Sequence, residues 1–170
     1  MPVKCAVLTI SDRSYIGQRE DASGPLLVEK ARQAGWEVVA EKVVPDEYDT
    51  IRTTLMEWCD QGQVDLVLTT GGTGFSGRDI TPEATQSVIQ RFAPGLAEAM
   101  RQRSLEKTPH AMLSRGVAGI RSRTLIINLP GSPKAASENL DVVIPVITHA
   151  VELLRENPGA EQGHRFPSNK

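Results

Sequence analysis

Val64-Asp65-Leu66-Val67-Leu68-Thr69-Thr70 runs directly into Gly71-Gly72-Thr73-Gly74-Phe75-Ser76-Gly77-Arg78-Asp79-Ile80-Thr81-Pro82. The first of these segments is rich in branched apolar residues at successive positions, which predicts a strand covered on both faces. Gly71, Gly72, Gly74 and Gly77 then allow a sharp backbone turn. Thr81-Pro82 reads as a helix start, with Thr at the N-cap and Pro at the first helical position. Strand, glycine turn and helix in that order make one unit of a parallel sheet with covering helices.

The same alternation extends to both sides. Lys4 to Ile10 (KCAVLTI) predicts the first strand, and Pro25 to Ala34 a helix closed by Gly35. Trp36 to Val44 predicts the second strand, and Ile51, Leu55 and Trp58 or Cys59 mark one face of a helix ending near Gly62. Ala84, Val88 and Phe92 predict the inner stripe of the helix opened by Thr81, and Leu96 and Met100 a further helix. Val117 to Ile120 predicts a short strand and Thr124 to Leu129 (TLIINL) a clear one. Ser132-Pro133 opens a last helix that buries Leu140, Val143, Ile147, Val151 and Leu154, with Pro145 expected to kink or restart it. The expected fold is α/β, a mainly parallel sheet with helices on both faces. One domain over 1–156 is expected, followed by a flexible tail over 157–170, where Pro, Gly and polar residues dominate.

Composition narrows the function classes. Of 170 residues, 39% are apolar and 24% charged, which excludes disordered and collagen-like chains. Nineteen Lys and Arg against twenty-one Asp and Glu, with no basic run, give no reason to expect nucleic acid as a partner. The apolar runs fall short of the roughly 18–20 residues of a membrane span, and the start of the chain lacks a signal-peptide pattern, so a cytoplasmic protein with no membrane partner is expected. Cys5 and Cys59 sit in apolar patterns and read as small buried hydrophobes. His110, His149 and His164 lack metal-ligand spacing.

Gly72, Gly74 and Gly77 match G-x-G-x-x-G literally. The helix signal waits until Thr81, however, and the loop follows the third strand rather than the first, so the dinucleotide-binding fingerprint fails. Arg78 after Gly77 excludes the phosphate loop that ends in Lys-Ser or Lys-Thr. A glycine nest at the end of a buried strand remains, with Gly71, Gly72, Thr73 and Gly74 as candidate anion contacts. Asp46 and Asp79 lie just past neighbouring strands, so their loops share one sheet edge and the two carboxylates could share a metal. A helix cap at Asp46, and pairing with Arg78 or plain solvation at Asp79, stay open. Ser11 and Asp12 end the first strand, where ligand contact and turn formation are equally open. Gly131-Ser132-Pro133 forms a second glycine turn before a helix N-terminus, and Lys134 just inside that helix could help neutralise phosphate. Ser114 and Arg115 bring a hydroxyl and a guanidinium suited to phosphate, with a solvated surface Arg as the alternative.

The run from Thr69 to Glu83 closely resembles the signature of the molybdenum-cofactor biosynthesis family, in particular its molybdopterin adenylyltransferases and their near relatives. Leu8-Thr9-Ile10-Ser11-Asp12-Arg13, Asp21-Ala22-Ser23-Gly24-Pro25, Val44-Pro45-Asp46-Glu47, Ser114-Arg115 and Asn128-Leu129-Pro130-Gly131-Ser132-Pro133-Lys134 agree with it in order and spacing, from about Val3 to Leu154. The resemblance implies a three-layer α/β/α sandwich, assembled as a homotrimer. It implies a nucleotidyltransferase that moves AMP from Mg-ATP to the terminal phosphate of molybdopterin and releases pyrophosphate. The product then serves molybdate insertion, so other enzymes of that route are implied partners. It also implies Asp46 and Asp79 as the catalytic and metal-holding pair. Ser11, Asp12, Gly71, Gly72, Thr73, Gly74, Ser114, Arg115, Gly131, Ser132 and Pro133 become the implied binding residues, with Arg115 on phosphate. A binding-only pterin scaffold and a dinucleotide pyrophosphatase on the same scaffold are the alternatives, because one fold hosts many chemistries.

Overall fold

The computed structural model describes residues 1–157. In chain order the elements are β1 (Lys4–Ile10), α1 (Asp12–Tyr15), α2 (Ser23–Gln33), β2 (Glu37–Val44), α3 (Tyr48–Asp60) and β3 (Leu66–Thr70). They continue with α4 (Thr81–Gln86), β4 (Arg91–Phe92), α5 (Pro94–Leu105), a 3-10 turn (Pro109–Leu113), β5 (Ala118–Arg121), β6 (Thr124–Leu129) and α6 (Pro133–Leu154). The sheet order is β2-β1-β3-β6-β5-β4. β2, β1, β3 and β6 are mutually parallel, and β5 and β4 add an antiparallel edge.

Strand pleat sorts the side chains into two cores. Val7, Leu68 and Ile127 face α2, α5 and α6, where Leu27, Met100 and Leu140 meet them. Leu8, Val67 and Ile126, one residue along each strand, face Ile51 and Leu55 of α3 and Ala84 of α4. Helices therefore cover both faces, giving the three layers expected.

Several boundaries differ from the sequence expectation for identifiable reasons. α2 starts at Ser23 rather than Pro25 because Asp21 accepts from the Gly24 amide at 3.0 Å and from Thr9 Oγ1 at 2.7 Å, which fixes the entry earlier. α1 has no counterpart in the sequence expectation; Ser11 Oγ accepts from the Ser14 amide at 3.2 Å and caps that single turn. Asp46 does not cap α3, whose N-cap position is Glu47 without a side-chain bond. The helix opened by Thr81 stops at Gln86; Val88 stays in the core, but Phe92 pairs with Gly119 in β4–β5 and is 63% exposed. Thr81 itself is the first helical residue, Ile80 holding the N-cap position. α6 runs through Pro145 without restarting, its apolar stripe of Leu140, Val143, Ile147 and Val151 fully packed. The missing Pro145 N–H removes one ladder bond, which that burial offsets.

Both cysteines are buried, and burial pushes the Cys5 thiol up to about 12 and the Cys59 thiol up to about 11, so neither is a reactive thiolate. Among the described residues no helix is long and apolar enough to cross a membrane. Of the expected tail, only Asn157 falls within the described residues.

Candidate functional site

Because β1, β2, β3 and β6 are parallel, the loops after all four gather at one edge of the sheet. The connections diverge between β1 and β3, with β2 outside one and β6 outside the other, and such a switch point opens a crevice at the carboxyl ends. A cavity of about 490 Å3 occupies it, walled by residues from each of these loops.

The glycine turn forms its floor. Gly71 has φ +100, and a Cβ there would stand 2.2 Å from the carbonyl oxygen of Ile10, so the turn lies flat against the end of β1. Gly72 has φ +65, and its Cβ would meet Thr81 Oγ1 at 2.3 Å and Asp46 Oδ1 at 3.1 Å. The Thr81 hydroxyl donates to the Gly71 carbonyl at 2.9 Å, and the Thr81 amide to the Gly72 carbonyl at 3.1 Å. These two bonds tie α4 to the turn. The amides of Gly72, Thr73 and Gly74 have no hydrogen-bond partner among the described residues, as an anion nest requires.

β2 and β3 are not the neighbours expected, because β1 lies between them, yet all three are parallel and end on one side, so Asp46 and Asp79 both line the cavity. Asp46 is held by a reciprocal clasp: the Asp12 amide donates to Asp46 Oδ2 at 2.8 Å, and the Asp46 amide donates to Asp12 Oδ1 at 2.9 Å. Arg78, from the loop after β3, donates to Asp12 Oδ2 at 2.9 Å and to Oδ1 at 3.0 Å. Asp12 thus ties the loops after three strands together; it lines neither this cavity nor the adjacent one. Asp79 Oδ2 accepts from the Ser76 amide at 3.1 Å. Arg78 pairs with Asp12 rather than with Asp79.

Burial raises the Asp46 carboxyl above the usual aspartate range, and the charges of Asp12 and Asp79 push it the same way. Arg78 holds Asp12 below that range. A folded-state value above the unfolded one means that the stabilising contribution is full below the unfolded pKa and is lost as pH rises through the folded value. Ionised Asp46 therefore costs stability at neutral pH. Asp46→Asn keeps an acceptor for the Asp12 amide, so it is expected to melt no lower than the unsubstituted chain at pH 7, its advantage shrinking on acidification toward pH 4. A clear drop in melting temperature at pH 7 would contradict the crowding of charge described here.

Ser11, Gly71, Gly72, Gly131, Ser132 and Pro133 also line the cavity. Ser132 caps α6, its hydroxyl accepting from the Ala135 amide at 3.5 Å, and Gly131 packs against Gly71. Thr73, Gly74 and Ser114 line an adjacent cavity of about 430 Å3 that shares Gly72, Asp79 and Gly131 with the first. Arg115 lines neither. Its Nε donates to the Gly74 carbonyl at 2.7 Å, its Nη2 to the Asp79 carbonyl at 2.9 Å, and its Nη1 pairs with Glu83. Sequence reasoning did not single out Glu83, Arg78 as a tie to Asp12, or Arg19, whose guanidinium reaches Ser11 Oγ at 3.3 Å in the cavity wall. None of them carries a local signal, since their partners lie on other loops.

Among the described residues no three acidic, His or Cys groups gather into a metal cage. A pair of hard carboxylates whose charges repel is nonetheless the donor set that suits Mg2+, which takes one or two protein carboxylates and completes its shell with substrate oxygens and water.

Residues 6–149 match a family model described as "Probable molybdopterin binding domain". The chain is 47% identical over 165 residues to the molybdopterin adenylyltransferase of Helicobacter pylori strain 26695, covering 91% of this chain and 89% of that protein. It is 45% identical over 171 residues to the gephyrin of Dictyostelium discoideum, covering 94% of this chain but only 24% of gephyrin. Among solved structures, the molybdopterin biosynthesis enzyme MoaB of Thermus thermophilus superposes with a TM-score of 0.86 at 49% identity, over 92% of this chain and 98% of that one.

Proposed function

The chain belongs to the family of molybdopterin-binding domains, and on that premise we propose that it transfers AMP from Mg-ATP to the terminal phosphate of molybdopterin, releasing pyrophosphate. The observation that carries this reading is the meeting, in one cavity, of two carboxylates from the loops after β2 and β3, the strands on either side of β1, beside a turn of unbonded amides.

Nucleotidyl transfer asks a protein chiefly to align two phosphates and to balance charge. An oxygen of the pterin's phosphate attacks the α-phosphorus of ATP, and the bond to the β-phosphate oxygen breaks. The amides of Gly72, Thr73 and Gly74 suit the phosphate oxygens, and the Ser132 turn at the N-terminus of α6 faces the same cavity. Arg19 adds a guanidinium to a wall otherwise rich in carboxylates. Asp46 and Asp79 are the residues that would hold Mg2+, which when bound would offset charge on the reacting phosphates. Holding both substrates in register is worth about 7–11 kcal/mol in reactions of this kind. The two adjoining cavities, which share Asp79, give room for two bound reactants.

A homotrimeric assembly, cytoplasmic action where ATP is available, and hand-over of the product to further enzymes of cofactor synthesis belong to the same proposal. Exposed Phe75, Phe92 and Met112 offer apolar surface for such contacts.

The decisive experiment incubates the chain with molybdopterin and Mg-ATP and follows both pyrophosphate and adenylylated pterin. Equal amounts of the two are expected. Pterin binding without pyrophosphate would leave a binding-only protein, and nucleotide cleavage without the pterin adduct would make it a hydrolase.

A further inference from the structure

The loop that carries Asp79 has few means of holding its own shape. Between Thr73 and Asp79 it contains Gly74 and Gly77, its Phe75 side chain is 69% exposed, and glycines lose the most backbone freedom on ordering. Within the loop, the Ser76 amide donates to Asp79 Oδ2 and the Asp79 amide to the Ser76 carbonyl at 3.0 Å, which closes a turn but does not anchor it.

Two anchors come from elsewhere in the chain, Asp12 on the Arg78 side chain and Arg115 on the loop backbone. Arg115 stands between the 3-10 turn and β5, and its amide donates to the Thr73 carbonyl at 2.8 Å. Its guanidinium then takes the carbonyls of Gly74 and Asp79, near the two ends of the loop, at 2.7 and 2.9 Å. Its remaining terminal nitrogen pairs with Glu83 in the first turn of α4. Glu83 has no competing partner: its other carboxylate oxygen is buried and unbonded among the described residues. One planar fork therefore fixes three points whose spacing determines where the Asp79 carboxylate stands. The guanidinium borders neither cavity that Asp79 lines, so it does not face the place where phosphate would lie.

We infer that Arg115, oriented by Glu83, is a positioning residue for Asp79 rather than a phosphate ligand. This rests on the adenylyl-transfer reading for its kinetic consequence, while its structural consequence holds independently. Misplacing a reacting group by about 1 Å can cost about 10²-fold in rate, so the brace matters even though it touches no substrate.

Arg115→Gln, Arg115→Lys and Glu83→Gln are compared with the unsubstituted chain for transfer rate, KM for ATP, and hydrogen exchange of the amides of residues 74–79. Arg115→Gln is expected to lower kcat about tenfold to a hundredfold with KM for ATP held within about twofold, and to speed exchange in residues 74–79 but not in β1 or β6. Arg115→Lys, which keeps the charge but cannot span two carbonyls and a carboxylate, is expected to restore little. Glu83→Gln, the milder change, is expected to shift both readouts in the same direction. Two residues acting through one carboxylate are non-additive, so Arg115→Gln in an Asp79→Asn background is expected to add almost no further loss.

A rise of tenfold or more in KM for ATP with loop exchange unchanged, full rescue by Lys, or multiplicative losses in the double variant would each overturn the brace and restore a phosphate contact. If the unsubstituted chain forms no adenylylated pterin, the functional reading fails, and the exchange comparison still decides the brace.

Discussion

Asp79→Asn is expected to lower adenylyl transfer by about 10²–10³-fold while the melting temperature changes little. The carboxylate's hydrogen bond in the protein is an acceptance from the Ser76 amide, which the Asn carbonyl can reproduce. Neither Arg78 nor Arg115 pairs with the Asp79 side chain; Arg78 is on Asp12 and Arg115 on the Asp79 carbonyl. Its negative charge is thus available to the cavity instead of being part of an internal ion pair. Removing it deletes half of the proposed metal-holding pair without leaving a buried group unpaired. The same substitution removes one of the charges that raise the Asp46 carboxyl, so the acid limb of any residual activity is expected to move to lower pH. Pyrophosphate release across a pH series measures both effects. Transfer within about threefold of the unsubstituted rate would take Asp79 out of the mechanism, because loss of one transition-state stabiliser costs far more.

Gly71→Ala tests the scaffold beneath that chemistry. At φ +100 an Ala is strained by about 1–3 kcal/mol whatever the space around it. Its Cβ would also stand 2.2 Å from the Ile10 carbonyl oxygen, a backbone atom at the end of β1 that has no rotamer with which to yield. Relieving the clash forces apart the ends of β1 and β3, which are paired up to Thr9 and Thr70. Forced overpacking adds about 1–3 kcal/mol, for a total of about 2–6 kcal/mol from a fold whose whole stability is of order 5–15 kcal/mol. Gly17→Ala supplies the control: φ is +78, yet nothing lies within 4 Å of its Cβ, so only the conformational cost applies. Chemical denaturation of the two variants side by side separates the terms. Equal losses would mean that the crevice floor accommodates a methyl group and that the close approach of Gly71 to β1 is not required.

The elements most readable in the sequence are those whose signal is repeated locally. KCAVLTI and TLIINL form β1 and β6 at their expected bounds, because alternate residues on each strand are apolar for both cores. Ser132-Pro133 opens α6 as expected, since cap and first-turn preferences act within three residues. The helix after Thr81 is shorter than its periodicity predicts for a complementary reason. Phe92 has the right spacing for a helical stripe, but pairing of Arg91–Phe92 with β5 captures it, and β5 is reached only about 25 residues later in the chain.

The binding face follows the same division. Residue order alone places Ser11, Asp46, Gly71, Asp79 and Ser132 at the ends of parallel strands, and parallel strands end on one side of their sheet, whereas the strand order that puts β1 between β2 and β3 and opens the cavity is set only by the packed sheet. Which charged group holds which does require it. Arg78 and Asp12 are 66 residues apart, and Arg115 and Gly74 are 41 apart, with no periodicity linking them. Asp46 becomes a clasp with Asp12 instead of a helix cap, and Arg115 a strut for the glycine loop, only when the packed sheet sets those loops side by side. Hydrophobic pattern and turn chemistry act over a few residues and so are written along the chain. An ion pair or a carbonyl contact depends on distances in space, which exist only once the layers have closed on one another.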